Sequence, residues 1–153
     1  MAEYLEASAD KFTFRVAIDR LYSADGIWVL GPEPKENNRI RVGLADYFQQ
    51  HSGDVAFALV RPAGTKFPSG GEFAEIETVK TNVSLYSPVG GAIVEVNPAL
   101  SLTPEIINQD PYGKGWLAVI EVENWEADRV RLLDPQAYLA VMRSQIEQEL
   151  KQP

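Results

Sequence analysis

The stretch from Glu75 to Tyr86 constrains the fold more than any other part of this sequence. Two runs rich in β-branched and aromatic residues flank a short polar tip, and Lys80 lies at that tip. Alternation with a period of two on both sides of the tip predicts a β-hairpin, with Glu75 and Glu77 on one face and Ile76 on the other. Such a hairpin would hold the flexible amine of Lys80 away from the body of the protein.

Turn-forming residues bound this hairpin on both sides. The run Pro68-Ser69-Gly70-Gly71 precedes its first strand, and Ser87-Pro88-Val89-Gly90-Gly91 follows its second strand. The two runs are followed by similar segments, Glu72-Phe73-Ala74-Glu75-Ile76 and Ala92-Ile93-Val94-Glu95-Val96. This internal similarity predicts two related strand-turn-strand units with Lys80 near their symmetry axis.

The rest of the sequence predicts further strands and a few helices, and so a mainly β fold. Strands are predicted over residues 10–18, 27–30, 39–44, 54–60 and 116–122, with loops over 19–26 and 31–38. Short helices are predicted over 45–51 and 103–107, the latter starting with Thr103 and Pro104. Together these elements predict an antiparallel barrel-sandwich with a short helix and a C-terminal helix.

Two predicted elements have well-defined apolar faces. In the strand over 10–18, Phe12, Phe14, Val16 and Ile18 are expected to face one way and Ala17 the other. The C-terminal helix, over 134–151, is expected to start with Asp134 and Pro135. Its residues expected to pack on the barrel recur every three or four positions: Tyr138, Leu139, Met142, Ile146 and Leu150.

Length and charge narrow the class of protein. A chain of 153 residues is expected to form a single domain, residues 1–153, with a real core. The net charge of −8 argues against nucleic acid as a partner, because phosphate binding depends on clustered Lys and Arg. No run of about 18 apolar residues is present, so no membrane partner is expected. The acidic N-terminus does not resemble a signal peptide, which predicts a cytoplasmic protein.

Candidate catalytic groups are scarce. The chain has no cysteine, which excludes disulfides, thiolate metal ligands and a thiol nucleophile. We find no catalytic triad, no glycine-rich phosphate loop and no metal-ligand cluster in the sequence, and predict no catalytic or metal-binding residue. The sole histidine, His51, lies near Asp46 and Asp54 and could act as a base. We interpret it instead as a structural residue at a helix end.

The motif around Lys80 resembles that of lipoyl-bearing domains, most closely the H protein of the glycine cleavage system. The E-S-V-K-A core of that family stands here as Glu77-Thr78-Val79-Lys80-Thr81. The family's glycines sixteen residues before and eleven after the lysine match Gly64 and Gly91. Its Asn-x-Asp-Pro-Tyr-Gly-x-Gly-Trp signature stands as residues 108–116. Biotin carriers flank their lysine with methionines, so Val79 and Thr81 argue against biotin.

The resemblance implies a non-catalytic carrier of the lipoyl/biotinyl hammerhead type. It implies a lipoyl core over about residues 39–122, an N-terminal extension over 1–11, and lipoic acid amide-linked to Lys80. Gly64 and Gly91 would be structural turn glycines. A lipoate-protein ligase or lipoyl transferase would attach the group, and the resulting swinging arm would shuttle a covalently bound intermediate between partner enzymes.

Two departures from the family bear on the pathway. The family's T-x-x-H-E-W stretch stands as residues 23–28, with Ile27 at the position of Glu, and Ser84 replaces an Asp. Those acids are expected to face the protonated amine of an aminomethyl load. Their loss makes the sequence more similar to lipoate-binding proteins of bacterial sulfur oxidation. We therefore expect a heterodisulfide-reductase-like complex as partner.

Two alternatives remain open. The protein could be an H protein of glycine cleavage that carries the aminomethyl group. Its partners would then be glycine decarboxylase, aminomethyltransferase and dihydrolipoamide dehydrogenase. It could also be a non-lipoylated structural relative that only binds partners. In that case Lys80 would be an ordinary solvated hairpin lysine.

Overall fold

Antiparallel β-strands make up most of the structure. The computed structural model describes residues 3–32 and 38–151. The loop expected over residues 31–38 therefore lies mostly outside the described residues. Within the described ranges the chain forms these strands: β1 (Tyr4–Ala9), β2 (Phe12–Ala17), β3 (Leu21–Tyr22), β4 (Ile27–Leu30), β5 (Arg39–Leu44), β6 (Val55–Val60), β7 (Lys66–Phe67), β8 (Glu72–Thr78), β9 (Asn82–Tyr86), β10 (Gly91–Val96) and β11 (Ala118–Val122).

Three short helices lie between or after the later strands, and a longer helix follows them. The α-helices are α1 (Asp46–Ser52), α2 (Ile106–Gln109), α3 (Trp125–Asp128) and α4 (Pro135–Leu150). Two single turns of 3₁₀-helix are also present: Pro98–Ser101 precedes α2, and Arg129–Arg131 directly follows α3. Helix α4 begins as expected, because the Asp134 side chain accepts a hydrogen bond from the Ala137 N–H at 2.8 Å.

The strands form three sheets in which every pair is antiparallel. Strands β1 and β2 form a separate hairpin. The largest sheet has the order β3-β4-β5-β11-β10-β7, and the third has the order β6-β8-β9. The expected fold class, an antiparallel barrel-sandwich with a short helix and a C-terminal helix, is confirmed.

The main core contains residues from both the six-stranded and the three-stranded sheet. From Ala74 onward strand β8 shows the expected alternation: Ala74, Ile76 and Thr78 are buried, whereas Glu75 and Glu77 are exposed. The two glycine-rich turns lie against each other, since the Gly70 N–H donates to the Ser87 carbonyl at 2.8 Å. The segments that resemble each other in sequence thus start from touching turns and continue as β8 and β10 in different sheets.

A second core joins the β1–β2 hairpin to α1 and α4. Its members include Phe14, Tyr47, Tyr138 and Met142. Two expectations for the apolar faces were wrong. Phe12 and Ile18 are exposed, at the start of β2 and just past its end, while Ala17 is fully buried. Leu150 is exposed because the last residue of α4 extends beyond this core.

Several element boundaries also differ from the expectations. Helix α2 begins at Ile106 and not at Thr103. The Thr103 carbonyl accepts a hydrogen bond from the Ile106 N–H, which forms a turn before the helix. Strand β3 lies inside the expected loop over 19–26. Strand β1 lies inside the stretch expected to be an N-terminal extension. Both strands are defined by pairing with a neighbour, which no local pattern specifies.

Candidate cofactor-attachment site

The turn that presents Lys80 is fixed by Thr78. Strand β8 ends at Thr78 and β9 begins at Asn82, so Val79, Lys80 and Thr81 form the turn. The buried Thr78 hydroxyl oxygen accepts hydrogen bonds from the N–H groups of Lys80 at 3.2 Å and Thr81 at 3.1 Å. The Thr78 N–H donates to the Thr81 carbonyl at 2.8 Å. The lysine therefore projects from an ordered turn.

Lys80 is exposed, and its stem passes over Gly53. A Cβ atom added to Gly53 would lie 3.3 Å from Cε of Lys80 and 3.4 Å from Cδ. Gly53 caps the C-terminus of α1 with a φ of 93°, a conformation that favours glycine. Sequence reasoning missed this contact. A glycine after a helix is expected for capping alone, and the sequence gives no sign that Lys80 lies across it.

Two grooves adjoin Lys80. The larger has a volume of about 820 Å³, and its lining includes Asp25 and Phe48. The smaller has a volume of about 460 Å³, and its lining includes Phe12 and Asn108. Lys80, Tyr47, His51 and Glu149 line both grooves.

Glu149 of helix α4 lies against the side chains of helix α1. Its carboxylate lies 2.5 Å from Nε2 of His51. Burial, together with the adjacent Glu149 carboxylate, raises the pKa of Tyr47 to about 12. His51 lies in the last turn of α1, and its ring contacts the carboxylate of Glu149 and not Asp46 or Asp54.

The two glycines predicted to lie in turns line neither groove beside Lys80. Gly64 lies in a turn as expected, but the prediction was wrong for Gly91, which is the first residue of strand β10 and pairs with β11. Gly64 has a φ of 93°, and its N–H donates to the Ile93 carbonyl at 2.8 Å. A Cβ atom on Gly91 would lie only 2.1 Å from the carbonyl oxygen of Glu121. These contacts explain why both positions carry glycine. Their importance for modification of Lys80 stays a prediction.

The positions that lack the family's acids have different surroundings. Ile27 is 1% exposed and belongs to the main core, where its pairing partner on β5 is Leu44. Ser84 is half-buried and pairs with Glu75. The larger groove nevertheless contains the carboxylates of Asp25 and Glu149 beside Lys80. The loss of the family's acids at positions 27 and 84 therefore does not leave the surroundings of Lys80 without acidic residues.

Other kinds of site are missing from the part of the chain that the structure describes. No group of three or more His, Cys, Asp or Glu side chains there could hold a metal ion. Among residues 3–32 and 38–151, no helix is long and apolar enough to cross a membrane. In the same ranges Lys80 forms no salt bridge. Its amine is therefore accessible, and the site fits attachment of an acyl group through an amide bond.

Comparison with known proteins identifies the family of this chain. A family model described as "Glycine cleavage H-protein" matches residues 20–145. A glycine cleavage system H protein of Thermus thermophilus is 39% identical over 127 residues, which cover 83% of this chain and 95% of that protein. The H protein of Coprothermobacter proteolyticus is 43% identical over 103 residues, covering 67% of this chain and 79% of that protein.

A solved structure supports the same assignment. The crystal structure of a glycine cleavage system H protein from Mycobacterium marinum aligns with a TM-score of 0.69 and 31% identity, covering 80% of this chain and 95% of that one. A barrel-sandwich fold with an accessible hairpin lysine defines a lipoyl-carrier type of protein. The chain belongs to the glycine cleavage H-protein family. Members of this family are non-catalytic carriers with lipoate attached covalently to a lysine.

Proposed function

We propose that Lys80 is the lysine that carries lipoate, and that the protein carries the aminomethyl group in glycine cleavage. Its partners would be glycine decarboxylase, aminomethyltransferase, dihydrolipoamide dehydrogenase and a lipoate ligase or lipoyl transferase. The observation that carries the proposal is the position of Lys80, in the turn of the β8–β9 hairpin within the family match. We further propose that residues 1–153 act as one carrier domain.

The chain's own contribution is presentation of the arm. Lipoate, when attached, supplies a disulfide that can be reduced to a dithiol, at the end of a long rotatable chain. Thr78 fixes the turn, so the point of attachment is held in one place. Tethering then converts diffusion between enzymes into a local search at high effective concentration.

The larger groove offers suitable partners for a protonated amine. Asp25 and Glu149 place two carboxylates beside Lys80, and hydrogen bonds from a cation to a carboxylate are stronger than neutral ones. They can therefore take the part that the family's acids at positions 27 and 84 would play. The sulfur-oxidation interpretation rested on the loss of those acids. Neither the family match nor the relatives named above support it, and they favour the glycine cleavage alternative.

The first test is the site of modification. Incubation with a lipoate ligase and lipoate should add one lipoyl group, and peptide mass analysis should place it on Lys80. The Lys80→Arg variant, which keeps the charge and the turn, should gain nothing. An adduct that persists in Lys80→Arg would assign the arm to another residue. Absence of any adduct with a ligase that modifies a known H protein would favour the non-lipoylated alternative.

The lipoylated protein then tests the pathway. With glycine decarboxylase it should support glycine-dependent release of carbon dioxide at a rate similar to that of a known H protein. A protein that is fully lipoylated yet inactive with all glycine cleavage enzymes would contradict this pathway while leaving the carrier role intact.

A further inference from the structure

The smaller groove beside Lys80 is built partly by a segment outside the family match. The match begins at residue 20, whereas Phe12 and Phe14 on β2 line the groove. Tyr47, Gly53 and Lys80 also line it. Its volume of about 460 Å³ lies within the range of roughly 300–1,000 Å³ found for small-molecule sites.

Aromatic rings follow one another from the exposed end of this groove into the second core. The Phe12 and Phe14 rings are stacked with centroids 6.4 Å apart, and Phe14 packs edge-on against Tyr47 at 5.0 Å. Phe14 is buried, but Phe12 is 56% exposed. An isolated exposed aromatic residue needs no explanation. Phe12 differs because it lines the same groove as the attachment lysine.

Hydrogen bonds hold this aromatic wall against helix α1. The Arg15 N–H donates to Oδ2 of Asp46 at 2.9 Å, and Nε2 of Gln50 donates to the Thr13 carbonyl at 3.2 Å. The Tyr112 hydroxyl donates to the Arg15 carbonyl at 2.6 Å. The wall is therefore preformed, and an occupant would not have to order it.

The amide of Asn108, the polar side chain next to Gly53, is already satisfied. Its Oδ1 accepts from the Val55 N–H at 2.9 Å, and its Nδ2 donates to the Gly53 carbonyl and to Oε1 of Gln49, each at 3.0 Å. An occupant of this part of the groove could therefore pack against Asn108, whose amide already has its hydrogen-bond partners. Asp54 and Glu149 also line the groove, but Phe12 and Phe14 do not line the larger one, where Asp25 lies.

We propose that this aromatic groove is a resting site for the uncharged, disulfide-containing ring of lipoate attached to Lys80. The inference rests on the proposed attachment. Lys80 lies between the two grooves, so an arm on it can enter either. A polarizable, apolar sulfur ring favours contact with aromatic side chains. The β1–β2 hairpin would therefore shelter the unloaded arm between visits to partner enzymes.

Sheltering has a measurable kinetic consequence. Reagents reach the disulfide only while the arm is outside the groove. The observed reaction rate therefore equals the rate of a free arm multiplied by the fraction of time that the arm is undocked. An arm docked for about nine-tenths of the time would react roughly tenfold more slowly than a free one.

The experiment measures how fast a water-soluble phosphine reduces the disulfide of the lipoylated protein. Samples are quenched with an alkylating reagent and counted by intact mass. Phe12→Ser should react several-fold faster than wild type, whereas Phe12→Tyr, which keeps the ring, should react at the wild-type rate. Leu102→Ser is the matched control, because Leu102 is 86% exposed and lines neither groove. It too should leave the rate unchanged.

A second readout is independent of the reaction. Lipoylation should shift the backbone amide resonances of Phe12, Phe14 and Gly53 in the wild type, and less in Phe12→Ser. Equal reduction rates in wild type and Phe12→Ser would overturn the resting site while the carrier function stands. Failure to lipoylate Lys80 at all, seen in the intact mass before any reduction, would instead count against the proposed function itself.

Discussion

A side chain at position 91 would collide with backbone, whereas one at position 64 would extend into open space. Gly91 lies where β10 pairs with β11, so any Cβ there must displace the Glu121 carbonyl. Gly64 needs glycine only for its left-handed φ of 93°. The two positions therefore require glycine for different reasons. At position 91 a side chain would clash with the neighbouring strand, and at position 64 it would strain the residue's own backbone.

We expect alanine to distinguish these two causes. Gly64→Ala should lower the free energy of unfolding by about 1–2 kcal/mol, the typical cost of a left-handed residue with a Cβ. Gly91→Ala should cost more, because strand pairing must shift as well. Urea unfolding of both variants tests this order. If Gly91→Ala is as stable as wild type, the close approach of Glu121 does not constrain position 91.

The β8–β9 hairpin depends on one buried hydroxyl at its turn. Thr78→Val keeps the shape of the side chain but removes the acceptor for two N–H groups. Loss of such a buried partner costs about 1–3 kcal/mol, so the variant should unfold at a lower urea concentration. It should also be lipoylated more slowly, since the turn is less ordered. Thr81→Val is the control, because Thr81 is exposed and its hydroxyl makes only a long contact of 3.4 Å to the Asn82 carbonyl. Similar losses in both variants would contradict a special role for Thr78.

The elements could be predicted to different extents from the sequence. The hairpin around Lys80 and helix α4 carry strong local signals, namely alternation and an N-cap, and both form as expected. Strands β1 and β3 lack such signals, because they form only by pairing with β2 and β4. Sequence analysis did not predict these two strands, because contacts between distant residues determine most β-structure.

The surroundings of Lys80 illustrate the same limit for the site. The lysine, its motif and its glycines could be recognised from local sequence and spacing. Its neighbours Phe12, Gly53 and Glu149 are distant in the chain and meet it only after β2, α1 and α4 pack together. Residue types at separate positions give no sign of that convergence. A charge lost at one position can therefore be replaced by a residue of another element, and the local sequence does not show the replacement.

At the scale of the whole molecule, the larger groove exists because three distant segments converge on Lys80. Asp25 comes from the loop before β4, Phe48 from α1 and Glu149 from the last turn of α4. The family match ends at residue 145, so Glu149 lies outside it. Introducing the family's acid directly, as in Ile27→Glu, would bury a carboxylate in the main core. Such a variant should lower the free energy of unfolding, and this loss of stability would obscure any effect on function. The existing carboxylates are the better target.

The double variant Asp25→Asn, Glu149→Gln should weaken the protein as a carrier of a charged load. Because Asp25 and Glu149 are both exposed, solvent screens their carboxylates, and together they contribute about 0.5–2 kcal/mol. That corresponds to a roughly two- to thirtyfold decrease in kcat/KM for glycine-dependent carbon dioxide release. The difference should shrink as the salt concentration rises, because exposed charges are screened.

The control is the double variant Glu123→Gln, Glu147→Gln. It makes the same change in net charge outside both grooves and should behave as wild type. Equal losses in the two double variants would assign the effect to net charge and remove Asp25 and Glu149 from the carrier's function.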